Sequence, residues 1–166
     1  MNNMLELDAC CGYKRMWKGK DISNIVFVDI KKEVKPTLVA DAKHLPFRDG
    51  IFNKIYCDPP HMLQHHAGPN SKIHKKFYEV FGWFNNRGEW ISFIGRTNIE
   101  FKRVLKANGV LWYKLIDGKD FRIVHLADLN YMDNFVIIEK KIVRKANEKW
   151  RKNVTYEVIL KVKTEP

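Results

Sequence analysis

Four short apolar runs follow one another in the first third of the chain, and each of them stops at an aspartate. The runs are residues 5–7, 24–28, 37–40 and 52–57, and the aspartates are Asp8, Asp29, Asp41 and Asp58. Short apolar runs bounded by polar residues are typical of buried strands. Where such strands lie parallel, ligands collect at their carboxyl ends. The pattern therefore predicts a parallel sheet with four carboxylates along one edge.

The rest of the chain predicts a long helix and three further strands. Residues 90–107 carry apolar positions at helical spacing, and Asn108 with Gly109 is expected to end that helix. Strands are predicted at residues 110–115, 135–143 and 154–162, and a short helix at 119–129. Because the last two strands are joined by a short linker, we expect them to pair antiparallel. The predicted fold is α/β, with a mostly parallel seven-stranded sheet and an antiparallel C-terminal strand pair.

Length and composition predict a single packed domain over residues 1–166, without room for a separate recognition domain. Residues 62–88 form a long, basic and aromatic stretch, which is a candidate substrate-binding insertion; the alternative is an ordinary helix from about residue 73 to 82. The three cysteines are expected to be free thiols in a reducing compartment, because they are odd in number. The start of the chain lacks the pattern of a secretion signal, so we expect a cytoplasmic protein that does not bind membranes.

A formal net charge of +11 favours a polyanionic partner, and nucleic acid is the natural one. The alternative is that many of the lysines are only solvated surface. Candidate contacts lie in the insertion and in the linker between the last two strands. They are Lys72, Lys75, Lys76, Arg144, Lys145, Lys149, Trp150, Arg151 and Lys152.

The sequence Asp58-Pro59-Pro60-His61 follows the fourth apolar run directly. Proline disfavours helical geometry in the residue before it and has no N–H to donate. The motif is therefore a rigid row of acceptors, in which the Asp58 carboxylate and the Pro59 carbonyl can face the N–H groups of a ring amine. His61 supplies a flat face beside them.

This motif resembles the Asp-Pro-Pro-aromatic signature of class I S-adenosylmethionine-dependent amino-methyltransferases, with His61 where tyrosine or phenylalanine is commoner. Residues 6–12, together with Arg15, Met16 and Trp17, are similar to the nucleotide-loop motif of small phage and viral methyltransferases. The similarity covers roughly residues 4–115. It implies the Rossmann-like fold of that class, a cytoplasmic location in a prokaryotic or virus-infected cell, and S-adenosylmethionine as the cofactor.

The resemblance also assigns roles to individual residues. Asp8 would lie near the methionine ammonium, and Asp29 would accept the ribose hydroxyls. Asp41 would bind the adenine amine. The residues that would approach or pack against the cofactor are Ala9, Cys10, Gly12, Ala42 and Leu45. The second and third glycines that are usual in the family are replaced here by other residues, since Tyr13 and Lys14 follow Gly12.

The expected reaction is methyl transfer to an exocyclic amine of a nucleobase, with adenine N6 in DNA favoured over RNA. Asp58, Pro59, Pro60 and His61 would form the catalytic motif. The alternatives are cytosine N4, RNA, a protein glutamine, or a catalytically inactive nucleic-acid-binding module on the same fold. No metal site is expected, because the histidines and cysteines lack the spacing of metal ligands. The sequence leaves open whether the protein is a homodimer.

Overall fold

The computed structural model describes residues 4–63, 79–80, 82–117, 125–144 and 154–163. Within these ranges, seven strands form one sheet in the order β3-β2-β1-β4-β5-β7-β6. The strands are β1 (Glu6–Asp8), β2 (Ile25–Asp29), β3 (Leu38–Val39), β4 (Phe52–Cys57), β5 (Leu105–Asp117), β6 (Phe135–Arg144) and β7 (Val154–Val162).

The first five strands are parallel, whereas β7 pairs antiparallel with both β5 and β6. The predicted α/β fold, with its antiparallel C-terminal pair, is therefore confirmed. The strand order reverses next to β1, since β2 lies on one side of it and β4 on the other. Open α/β sheets bind ligands at such a reversal, outside the carboxyl ends of the strands.

One long helix, α1 (Arg87–Val104), packs on one face of the sheet. Asn86 caps it, because its side chain accepts a hydrogen bond of 2.9 Å from the Glu89 N–H. The buried side of α1 includes Trp90 and Phe101, which belong to the same core cluster as Leu111 of β5. This packing fixes the core on one side of the sheet.

The helix ends earlier than predicted. We expected it to continue to residue 107 and to stop at Asn108 and Gly109, but α1 ends at Val104 and β5 begins at Leu105. Leu105 pairs with Phe52 and Val110 with Lys54, so residues 106–109 form a bulge opposite a single residue of β4. Gly109 belongs to this bulge, where an added Cβ would lie 2.8 Å from Leu105 Cδ2. The glycine therefore permits a close approach within the strand and does not end the helix.

The connections on either side of β2 contain no α-helix. Each of them carries a single 3-10 turn, Arg15–Trp17 before β2 and Lys32–Val34 after it. The helix predicted at 119–129 corresponds in part to the 3-10 helix Leu126–Tyr131, and residues 118–124 lie outside the described residues. Most of the predicted insertion at 62–88 also lies outside them. None of the helices in the described part is long and apolar enough to span a membrane.

Candidate active site

Asp8 is fully buried at the end of β1 and organises the loop that follows it. Its Oδ2 accepts a hydrogen bond of 2.7 Å from Trp17 Nε1, and its Oδ1 accepts one of 3.3 Å from the Cys10 N–H. Burial raises the pKa of Asp8 to about 7, although both hydrogen bonds oppose the shift. Asp8, which is predicted to lie near the cofactor ammonium, thus also fixes the conformation of the loop after β1.

Asp29 joins the ends of β1 and β2. Its Oδ2 accepts a hydrogen bond of 2.9 Å from the Gly12 N–H, and its Oδ1 accepts one of 2.9 Å from the Lys31 N–H. Gly12 has a φ of 47°, and no atom lies within 4 Å of the position that a Cβ would take. The loop therefore needs glycine for its backbone conformation, and it leaves open space beside that residue.

Asp41, Ala42 and Leu45 follow β3 and form the third side of the candidate cofactor site. Asp41 Oδ1 accepts a hydrogen bond of 2.9 Å from the Lys43 N–H, while Ala42 and Leu45 are buried. Glu100 of α1 accepts a hydrogen bond of 2.7 Å from the Leu45 N–H. The helix thus holds this segment in place at the carboxyl edge of the sheet.

Asp58 lies at the end of β4 and has two partners in the described part of the chain. Lys114 Nζ of β5 donates a hydrogen bond of 2.7 Å to Asp58 Oδ2. His61 Nε2 lies 3.2 Å from Asp58 Oδ1 and 2.9 Å from the Lys114 carbonyl oxygen. Because both neighbours of Nε2 are acceptors, that nitrogen must carry a hydrogen. The imidazole is therefore tied to Asp58 and β5 through its edge, and 12% of the side chain is exposed.

The pKa of Asp58 lies below its usual value. Burial alone would raise this pKa, but the hydrogen bond from His61 and the charge of Lys114 together outweigh burial. Asp58 is consequently a carboxylate at neutral pH, which accepts hydrogen bonds and cannot donate one.

The rest of the motif is fixed by packing. Pro59 is buried. Gly82 approaches Pro60 so closely that an added Cβ would lie 3.1 Å from Pro60 Cγ, and its φ of 75° also favours glycine. The Phe84 N–H donates to the Met62 carbonyl at 3.0 Å, which holds the chain beyond the motif against residues 82–84.

All three cysteines are free thiols. Cys10 interacts with Cys57, and this contact together with burial raises the pKa of the Cys10 thiol. Burial also raises the pKa of Tyr113, whose hydroxyl has no hydrogen-bond partner in the described part of the chain. The Cys10 thiol and the Tyr113 hydroxyl are therefore neutral at physiological pH. Within the described ranges, no three His, Cys, Asp or Glu side chains gather closely enough to hold a metal ion.

A cavity of about 320 Å³ opens beside the Asp58 cluster. Its lining comes from the segment after β4 and from β5, β6 and β7. The lining residues are His61, Lys114, Ile116, Val143, Arg144, Thr155 and Glu157. The structure thus brings Arg144, predicted to bind nucleic acid, into the same cavity as His61 of the predicted catalytic motif.

Sequence reasoning missed Lys114, because its position beside Asp58 depends on the register of β4 and β5. Cys57 pairs with Tyr113 across β4 and β5, so the next residue on each strand, Asp58 and Lys114, are neighbours. The other predicted nucleic-acid contacts lie outside the described residues. They are Lys72, Lys75, Lys76, Lys145, Lys149, Trp150, Arg151 and Lys152.

Comparison with solved structures places this sheet among methyltransferase folds. A SAM-dependent methyltransferase from Methanosarcina mazei aligns over 96% of this chain and 92% of its own, with 14% identity and a TM-score of 0.60. The chain has the Rossmann-like methyltransferase fold. Geranyl diphosphate C-methyltransferase from Streptomyces coelicolor was solved with S-adenosyl-L-homocysteine. It aligns over 96% of this chain and 72% of its own, with 9% identity and a TM-score of 0.58.

The same fold also occurs in the cyclase SpnF, which aligns over 98% of this chain and 76% of its own with 12% identity and a TM-score of 0.62. No family model matches the sequence, and the search of curated proteins found no match. At these identities the methyltransferase fold is established and the reaction is not, because one fold can support different chemistries. The function must therefore be argued from the site.

Proposed function

We propose that the protein transfers a methyl group from S-adenosylmethionine to an exocyclic amine of a nucleobase, with adenine N6 in DNA as the favoured acceptor. The observation that carries the proposal is the position of Asp58, between the loop that follows β1 and the cavity. Ala9 begins that loop and donates a hydrogen bond of 2.9 Å to the Tyr56 carbonyl, two residues before Asp58. Asp58 therefore lies where a methyl donor and an acceptor would meet.

The carboxyl edge of β1, β2 and β3 fits the cofactor that the fold implies. The open space beside Gly12 leaves room for close approach to the backbone. Each Asp29 oxygen accepts one hydrogen bond in the structure and can accept another from a ribose hydroxyl. Asp41 would accept from the adenine amine, with Ala42 and Leu45 against the ring. When bound, S-adenosylmethionine supplies a methyl group attached to a positively charged sulfur. The sulfur leaves as a neutral thioether, so its departure needs no acid catalysis.

Asp58 would orient the acceptor amine. A ring amine is a poor nucleophile because its lone pair is delocalised into the ring, so its N–H groups must be held in a geometry that frees the lone pair. The ionised Asp58 carboxylate would accept one N–H and the Pro59 carbonyl the other. The low pKa of Asp58 makes it a weak base, so its contribution is orientation and electrostatic stabilisation.

Charge and size support a nucleotide as the acceptor. A volume of about 320 Å³ is at the lower end of the range for small-molecule sites, which suits a single nucleotide. Lys114 and Arg144 line the cavity and would face phosphate oxygens. The net charge of +11 would draw a polyanion to the protein as a whole.

The test is nucleoside mass spectrometry after incubation with S-adenosylmethionine and single-stranded DNA, duplex DNA or RNA. We expect N6-methyladenine from DNA. Asp58→Ala should lower the methylation rate about 100-fold or more, because the substitution removes an oriented electrostatic interaction with the reacting group. Calorimetric titration should show unchanged S-adenosylmethionine binding in Asp58→Ala, and the exposed Asp21→Ala should behave as the wild type. Full activity in Asp58→Ala would overturn the assigned role. Methylation of cytosine, RNA or a protein glutamine instead of adenine in DNA would change the proposed acceptor.

A nucleic-acid-binding module without turnover is the second candidate. The observation that favours it is that both Asp58 oxygens already have partners, Lys114 and His61. Salt-dependent DNA binding without measurable affinity for S-adenosylmethionine or S-adenosylhomocysteine would support this candidate over the enzyme.

A further inference from the structure

The sheet face opposite α1 is only partly covered in the described structure. Helix α1 and Leu111, Tyr113 and Leu115 lie on the buried side, where these three β5 residues have no solvent exposure. The residues that alternate with them along β5, among them Val110 and Trp112, point to the other side and remain half-buried. Both 3-10 turns beside β2 reach this side, because Trp17 and Val34 pack in one buried cluster with Phe27, and the centroid of the Trp17 ring lies 4.7 Å from that of Tyr56.

Strand register arranges this side in two rows. In the first row, Lys54 pairs with Val110, which pairs with Lys161. In the second row, Tyr56 pairs with Trp112, which pairs with Ile159. Directly paired residues share a face of the sheet. The surface formed by Lys54, Tyr56, Val110, Trp112, Ile159 and Lys161 is called the open face below.

The open face is continuous with the cavity beside Asp58. The next row along the same strands consists of Asp58, Lys114 and Glu157, and the last two of these line the cavity. A chain lying across the open face would therefore reach the cavity without leaving the sheet.

We propose that the open face binds single-stranded nucleic acid and leads the strand to the Asp58 cavity. This inference rests on the proposed function, because it names the form in which the acceptor nucleotide is presented. Tyr56 and Trp112 form an aromatic pair, with ring centroids 5.7 Å apart. Aromatic side chains on a sheet, flanked by cations, bind unpaired bases by stacking and bind phosphates by charge.

Two lysines and the half-buried Trp112 are the features of the open face that suit a nucleic acid. Lys54 and Lys161 lie at opposite ends of the first row, with an apolar residue between them. Lys54 Nζ lies over the Tyr56 ring, 4.5 Å from its centroid, so a base would stack on Trp112 rather than on that face of Tyr56. The acids Glu6 and Asp8 pair with Lys54 and Tyr56, so the lysines and Trp112 carry the attraction for the strand. A single strand also avoids the free energy that a duplex needs to flip out a base.

The experiment measures binding of a fluorescently labelled 12-nucleotide single-stranded DNA by anisotropy, without cofactor, over a range of salt concentrations. The Lys54→Ala, Lys161→Ala double variant should bind about tenfold more weakly. The slope of log K against log salt concentration should become shallower by about 0.7 for each phosphate that no longer contacts a lysine. Trp112→Ala should weaken binding by a similar factor, whereas Trp112→Phe should retain most of the affinity because it keeps a ring. The Arg48→Ala, Arg96→Ala double variant removes two exposed cations outside the open face; it is the charge-matched control and should bind as the wild type.

Wild-type affinity in the lysine double variant overturns the proposal. The proposal is also overturned if the wild-type protein shows no salt-dependent binding of single-stranded DNA. In that case the open face would be a candidate surface for a protein partner. Should Trp112→Ala fail to fold, the lysine variant still decides, because Lys161 is exposed and Lys54 lies at the surface. A wild-type protein that binds DNA through the open face but methylates nothing overturns the proposed reaction and not the surface.

Discussion

Lys114 and His61 determine the charge of Asp58, and therefore what Asp58 can do. A strand-end aspartate that is mostly removed from water would tend to stay protonated, and a protonated acid would compete with the acceptor amine as a donor. Lys114 at 2.7 Å and His61 at 3.2 Å prevent this protonation. The same two contacts limit the lone pairs that remain for a substrate, so the cluster sets both the charge and the direction of approach.

Lys114→Met tests this dependence through the pH profile. We expect the pKa of Asp58 to rise, since the positive charge and the hydrogen bond of Lys114 no longer favour the carboxylate. In the proposed reaction methyl transfer needs the carboxylate, so activity should be present above this pKa and lost as pH falls through it. The acid limb of the single-turnover rate should therefore move to higher pH. Lys141→Met, on the same sheet face, is the control, and an unmoved acid limb in Lys114→Met would contradict the role.

Asp8 gives the stability of the fold a pH dependence of the opposite sense. Its pKa is about 7 in the folded protein and 3.8 for the free side chain, so the folded state binds more protons between these values. The stabilisation from Asp8 is full below the lower value and is lost as pH rises through about 7. At about 1.4 kcal/mol per unit, the change reaches at most roughly 4 kcal/mol.

Urea unfolding of wild type and Asp8→Asn between pH 5 and pH 8 measures this contribution. The wild type should lose stability relative to the variant as pH rises, because asparagine does not titrate. Asp21→Asn, at an exposed position, should follow the wild type. Parallel stability curves for wild type and Asp8→Asn would show that Asp8 has no raised pKa.

At the scale of elements, the sequence predicted every strand of the sheet and the antiparallel end, because apolar runs bounded by polar residues identify buried strands directly. The predicted boundary between α1 and β5 was wrong because pairing with a distant strand outweighed a local helix-end signal. Asn108-Gly109 is typical of a helix end, but here it follows a strand residue, Leu105, that pairs with Phe52 from a distant segment. The Asp58–Lys114 pair could not be predicted for the same reason, since it depends on the register of two strands.

Gly109→Ala tests the bulge. The added methyl group would lie 2.8 Å from Leu105 Cδ2 and 2.9 Å from the Lys106 carbonyl oxygen, so the bulge must shift. We expect a decrease of about 1–3 kcal/mol in the free energy of unfolding, measured with urea. Gly95→Ala is the matched control, because Gly95 lies inside α1 with no atom within 4 Å of the added methyl group. It should stabilise the protein by about 0.5–1 kcal/mol. Equal effects of the two substitutions would contradict this account of the bulge.

At the scale of the whole molecule, the sheet makes one site from segments that are far apart in the sequence. The carboxyl ends of β1, β2 and β3 surround the Gly12 loop, while β5, β6 and β7 form the cavity on the far side of Asp58. A ligand that contacts both groups of loops would link β1, β2 and β3 to β5, β6 and β7. The described helices do not pack against all of these strands. Ligand binding should therefore be visible in the global stability of the protein.

Thermal unfolding with S-adenosylhomocysteine tests this coupling. A ligand at about 100 times its dissociation constant stabilises the folded state by about 2.7 kcal/mol, which for a domain of this size raises Tm by roughly 5 °C or more. Asp29→Ala should remove the increase, because it removes the proposed ribose acceptor and releases the Gly12 N–H. Asp21→Ala, an exposed aspartate outside the strand ends, should keep it. Because releasing the Gly12 N–H lowers Tm by itself, the ligand-induced difference is the quantity compared. An equal increase in Asp29→Ala and wild type would place the cofactor elsewhere and remove the link between the strand-end carboxylates and methyl transfer.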